Sequence, residues 1–101
     1  MRLIVMFDLP VETAKDRREY YLFRKFLIKG GFLMMQESVY CKLTQNASAM
    51  ESVIDSVYRN KPPKGSVIAL KVTEKQYAKM EYVVGDASSD VLNTDENLVF
   101  L

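Results

Sequence analysis

The sequence predicts an α+β sandwich, one antiparallel sheet carrying two helices on one face, in a chain of 101 residues. Three observations carry the prediction. An unbroken apolar run, Leu3-Ile4-Val5-Met6-Phe7, stops at Asp8-Leu9-Pro10, as a strand buried on both faces does. Two later stretches place apolar residues at helical spacing. Short runs with strand patterning lie between and after them.

Each element follows from its residues. Pro10 lacks an amide donor and pushes Leu9 out of helical geometry, so the first strand ends at Asp8. Thr13 with Asp16 three residues on resembles a capping box. The helix it opens runs to about Lys29, where Gly30-Gly31 supplies the stop. Tyr20, Phe23 and Leu27 share one face, widened by Leu22 and Phe26. Arg18, Lys25 and Lys29 lie opposite, with Arg17 and Arg24 as a second row.

Residues 32–43 are strand-like and too long for one strand, so a tight hairpin is expected near Gln36-Glu37-Ser38. Met50, Val53, Ile54, Val57 and Tyr58 form the stripe of a second helix, with Ser48 and Glu51 as its capping box. Asn60-Lys61-Pro62-Pro63-Lys64-Gly65 breaks it. Val67 to Val72 is the next strand. Thr73 with Gln76 caps one or two helical turns, and Tyr82-Val83-Val84 is a weak strand. Residues 85–97 are polar and acidic. Leu98, Val99, Phe100 and Leu101 form an apolar terminal strand that needs a sheet edge, in this subunit or another. The order strand, helix, strand, strand, helix, strand is that of the ferredoxin-like fold, here one domain over residues 1–101 with an additional C-terminal strand. The uncovered sheet face makes a homodimer the economical arrangement.

Composition narrows the chemistry. Histidine is absent, which removes His-based acid–base work, Ser-His and Cys-His nucleophile pairs and an ordinary zinc site. Cys41 is the only cysteine, so no intramolecular disulfide forms, and a cytoplasmic location fits. No segment has the length of a signal or membrane-spanning stretch. Residues 1–80 hold all 14 basic and eight acidic residues, a net of +6, while residues 81–101 hold five acids and no base. A basic body with an acidic end suits a polyanion partner, although charge alone fits a solvated surface better.

Several segments together resemble the CRISPR-associated protein 2 family. They are Val5-Met6-Phe7-Asp8-Leu9-Pro10, Arg24-Lys25-Phe26-Leu27 running into Gly30-Gly31-Phe32, Gln36-Glu37-Ser38-Val39-Tyr40, and Pro63-Lys64-Gly65-Ser66-Val67. Residues 72–80 and Gly85-Asp86 look like the type II branch. The resemblance implies a two-fold dimer of ferredoxin-like protomers placed between dimers of CRISPR-associated protein 1, the spacer integrase. It implies magnesium-dependent cleavage of RNA or DNA at a strand-end Asp, which Asp8 matches, and a terminal strand paired with the partner subunit's sheet. In parts of the family that cleavage is dispensable for integration.

Candidate sites follow. Asp8 is the candidate catalytic and metal-binding residue, for Mg2+ or another divalent cation at low occupancy. Magnesium is often held by one or two carboxylates plus substrate phosphates, and such an ion can activate water. Without the resemblance, an Asp that closes a strand in an Asx turn explains the residue better, and the resemblance brings the two readings level. Lys15, Arg17 and Arg18 open the first helix, where free amides and cations attract phosphate, and Lys25, Lys29 and Lys42 extend the track. The competing reading is a solvated face with Glu12, Asp16 and Glu19 interleaved. Cys41 alternates with core positions and reads as a small buried hydrophobe.

Three functions compete. The first is a dimeric adaptor that sets the path of duplex DNA, prespacer or array, between integrase dimers. The second is a stand-alone, toxin-like, magnesium-dependent endoribonuclease that needs Asp8. The third is a small-molecule-sensing regulatory domain, which would want a glycine-rich ligand loop that the four glycines do not form.

Overall fold

A computed structural model describes residues 1–85. The acidic segment beyond Gly85 and the terminal strand at residues 98–101 lie outside the described residues. Within them the element order is β1 (Arg2–Asp8), α1 (Ala14–Lys29), β2 (Leu33–Gln36), β3 (Val39–Leu43), α2 (Ala47–Arg59), β4 (Ser66–Val72) and α3 (Glu74–Ala78). The four strands form one sheet in the order β2-β3-β1-β4, and every neighbouring pair is antiparallel. This is the ferredoxin-like arrangement, with the first strand central.

A central position explains why β1 is apolar without alternation. Leu3, Val5 and Phe7 point under the helices and are buried, while Ile4 on the opposite face is also buried and Met6 half-buried. Against them pack Phe23 and Leu27 of α1, Met50 and Val57 of α2, and Tyr40 of β3. Phe7 anchors the aromatic end of this core, edge-on to Phe23 at 5.2 Å and stacked on Tyr40 at 5.8 Å between ring centroids.

The ends of α1 form as its sequence dictates. The Thr13 hydroxyl accepts the Asp16 amide at 3.0 Å, and the Asp16 carboxylate accepts the Thr13 amide. At the other end the Gly31 amide donates to Ile28 and the Phe32 amide to Leu27, a Schellman closure. It puts Gly31 at φ +90°, where a side chain would be strained.

Four expectations need correction. The cap of α2 is Asn46, whose side chain accepts the Ala49 amide at 2.8 Å, so Ser48 lies inside the first turn. Tyr58 is 67% exposed, because the stripe of α2 is buried only along Met50 and Val57, with Val53 and Ile54 partly covered. Leu22 is exposed on the outer side of α1 and adds nothing to its core face. Tyr82, Val83 and Val84 form no strand. With Ile4, Met6 and Leu70 they line a groove on the sheet face opposite α1 and α2, Val83 and Val84 almost wholly exposed. The hairpin does turn at Glu37-Ser38, with a register shift between Met34 and Gln36.

Candidate nucleic-acid interface

Asp8 ends β1 opposite Ser66 and is exposed. Alternation along β1 puts it on the sheet face opposite α1 and α2, with Ile4 and Met6. Its carboxylate makes no hydrogen bond or ion pair among the described residues, so the expected Asx contact is not formed. The loop before β4 presses on this strand end. A Cβ at Gly65 would lie 2.6 Å from the Asp8 carbonyl oxygen, and Gly65 has φ +90°. Among the described residues no three His, Cys, Asp or Glu side chains gather into a metal-binding group. One exposed carboxylate fits magnesium only as a single ligand, completed by substrate phosphates, waters or a second copy of Asp8.

The cations of α1 do not all face the same way. Lys15, Arg18, Lys25 and Lys29 recur every three to seven residues on the outer side, exposed or half-exposed. The row runs for ~21 Å at ~1.5 Å per residue. The acids of α1 meet the row only at Lys15. Asp16 is buried, tied to the Thr13 amide and 3.8 Å from Lys64, and Glu19 borders the Pro62-Pro63 loop. Arg17 instead folds back and donates to the Val11 and Glu12 carbonyls, both at 3.1 Å, which clamps the β1–α1 loop. Lys42 donates to the Gly30 carbonyl and stabilises the C-terminus of α1. Lys25 lies 5.7 Å from the Tyr21 ring.

A polar cleft that the candidate residues leave out opens between α1 and the β2–β3 turn. Tyr20, Arg24, Met34, Glu37, Ser38 and Tyr40 line about 240 Å³. Arg24 Nε donates to the Tyr40 hydroxyl at 2.9 Å. The spacing of Tyr20 and Arg24, one helical turn apart, was the available signal. The pairing with Ser38 and Tyr40 depends on the fold.

The family described as CRISPR associated protein Cas2 matches residues 1–80. The chain belongs to the Cas2 family. It is 55% identical to the CRISPR-associated endoribonuclease Cas2 of Treponema denticola over 101 residues, all of both chains. It is 48% identical to the protein of the same name from Streptococcus mutans, over all of this chain and 93% of that one. The crystal structure of Streptococcus pyogenes Cas2 shares the fold, with a TM-score of 0.60 at 15% identity over 84% of this chain and all of that one. Like the sequence, the described part of this Cas2 chain holds no helix long and apolar enough to cross a membrane.

Proposed function

We propose that this Cas2 chain is a homodimeric nucleic-acid-binding adaptor of CRISPR spacer acquisition, bridging dimers of the CRISPR-associated protein 1 integrase along duplex DNA. The observation that carries the reading is the outer row of α1. Like charges three and four residues apart weaken a helix by a few tenths of a kcal/mol each. A face kept only for solubility would interleave acids, and here Asp16 is buried and only Glu19 borders the row, at Lys15. A row of ~21 Å matches about six phosphate steps along one strand of a duplex. Dimerisation would use the sheet face opposite α1 and α2, where Ile68 and Leu70 are 56% and 49% exposed, together with Leu98, Val99, Phe100 and Leu101.

The test is duplex binding by the full chain against salt. Wild type should bind weakly, without sequence preference, and with a steep slope. Changing Lys15, Arg18 and Lys25 together to Ala should reduce the log–log slope by about 0.9 per lost phosphate contact. Arg17→Ala alone should change it little, because its guanidinium is engaged with the loop. An unaltered slope in the triple variant places the DNA track elsewhere.

A second reading has its own support in Asp8 and in the word endoribonuclease in the names of the relatives. In that reading Asp8 would hold a magnesium ion against an RNA phosphate, and the ion would supply an activated water. The scissile substrate would be bound by the same cations, and cleavage would proceed without any partner protein.

A further inference from the structure

The cleft between α1 and the β2–β3 turn gathers side chains that neither the row of α1 nor Asp8 uses. Four of its six lining residues carry donors. Arg24 enters from α1 and gives its Nε to the Tyr40 oxygen at 2.9 Å. Accepting that bond leaves the Tyr40 proton available to a further acceptor. Burial pushes the Tyr40 phenol above its ordinary range, only partly offset by Arg24, so it stays a donor at neutral pH. The Tyr20 hydroxyl stands 3.5 Å from the Ser38 hydroxyl, a loose contact that a tighter acceptor between them would replace.

Ser38 adds an independent observation. It has φ +67°, and it is the only residue other than glycine with positive φ among the described residues. Gly or Asn takes this region at lower cost. The turn is nonetheless held there, because the Phe7 amide donates to the Ser38 carbonyl at 3.0 Å. A serine kept where glycine is easier points to a use for its hydroxyl.

We propose that this cleft seats one phosphodiester of a bound nucleic-acid strand, with Arg24, Tyr40, Tyr20 and Ser38 as its donors. The proposal rests on the nucleic-acid reading above. It adds a fixed binding point on a different side of α1 from the outer row. Planar guanidinium and converging hydroxyls match a phosphate's oxygens, and the volume suits a phosphate with part of its sugar rather than a base stacked in full. Glu37 at the wall opposes an anion, which keeps the affinity for a free ion low and gives the test a second sign.

The full-length protein is titrated with inorganic phosphate while its backbone amide signals are followed by NMR. Its affinities for a short duplex DNA and for a single-stranded RNA are then measured at fixed salt. Phosphate should shift the amides of Arg24, Ser38 and Val39. Ser38→Gly should raise Tm, by removing the backbone strain, yet weaken binding of phosphate and of the seated strand by roughly tenfold, the worth of a charge-assisted hydrogen bond. Tyr20→Phe should weaken it in the same direction with Tm little changed. Glu37→Gln should tighten it. Loss on the duplex alone, on the RNA alone or on both supports the seat and names the strand it holds. Unchanged affinities for both strands in Ser38→Gly and Tyr20→Phe overturn the cleft while leaving the adaptor reading intact. Wild-type protein that binds neither strand overturns the nucleic-acid reading itself and the proposal with it.

Discussion

Asp8 is a carboxylate at the end of a rigid strand, exposed, and without a side-chain hydrogen bond among the described residues. Its replacement should therefore cost the fold little. Asp8→Ala should change the unfolding free energy by less than ~0.5 kcal/mol in urea denaturation. A larger loss would reveal a structural contact instead. Cys41 behaves in the opposite way. It is 3% exposed, as its alternation with core positions predicts, and burial lifts its thiol above the ordinary value, with Arg2 pulling it back only in part. Tyr40 is shifted upward for the same reason. In both, the folded state holds its proton to a higher pH than the unfolded chain does. Stability should be constant below the ordinary thiol value of 9.0 and fall as pH rises through it, first from Cys41 and then from Tyr40 above 10.0. Urea midpoints between pH 7 and 10.5 check this, and Cys41→Ala should delay the onset of the fall.

At the scale of elements, caps and glycines decide how far the sequence can be read. Thr13-Asp16 and Thr73-Gln76 form capping boxes as read from spacing alone. Ser48-Glu51 has the same spacing and is not a cap, because Asn46 lies two residues earlier and its side chain takes the Ala49 amide. Asn46→Ala should cost about 1 kcal/mol in thermal or urea unfolding, and Ser48→Ala only a few tenths. Equal losses would contradict the assignment. Apolar strands and helical stripes were legible because burial imposes their period. Tyr82, Val83 and Val84 have strand-forming side chains, but they join no ladder among the described residues. The Tyr20–Arg24–Ser38–Tyr40 cleft was not legible, since its members come from two elements joined only by packing. Gly65 shows a constraint that spacing cannot show. Gly65→Ala should destabilise by about 2 kcal/mol or more, through its positive φ and the approach to the Asp8 carbonyl, and should displace Asp8 as well.

Among the described residues the two sheet faces are covered differently. The helices bury Leu3, Val5 and Phe7, while Arg2, paired with Glu74 at 2.9 Å and lying 3.9 Å from the Tyr77 ring centre, pins α3 at one end of the other face. Ile68 and Leu70 remain exposed there. Leu70→Lys, or removal of residues 98–101, should shift the sedimentation of the protein toward monomer while leaving the fold's circular dichroism in place. An unchanged dimer would move the interface elsewhere. The basic row on α1 belongs to the same account. It depends on Lys and Arg, so a protein that serves as an adaptor can lose Asp8 and keep its role. The decisive measurement is spacer integration in a reconstituted complex of the integrase with folded, dimeric Asp8→Ala protein. The adaptor account predicts integration near the wild-type level, with any metal-dependent RNA cleavage lost. Loss of integration by that protein would contradict the adaptor account and make the chain an enzyme first.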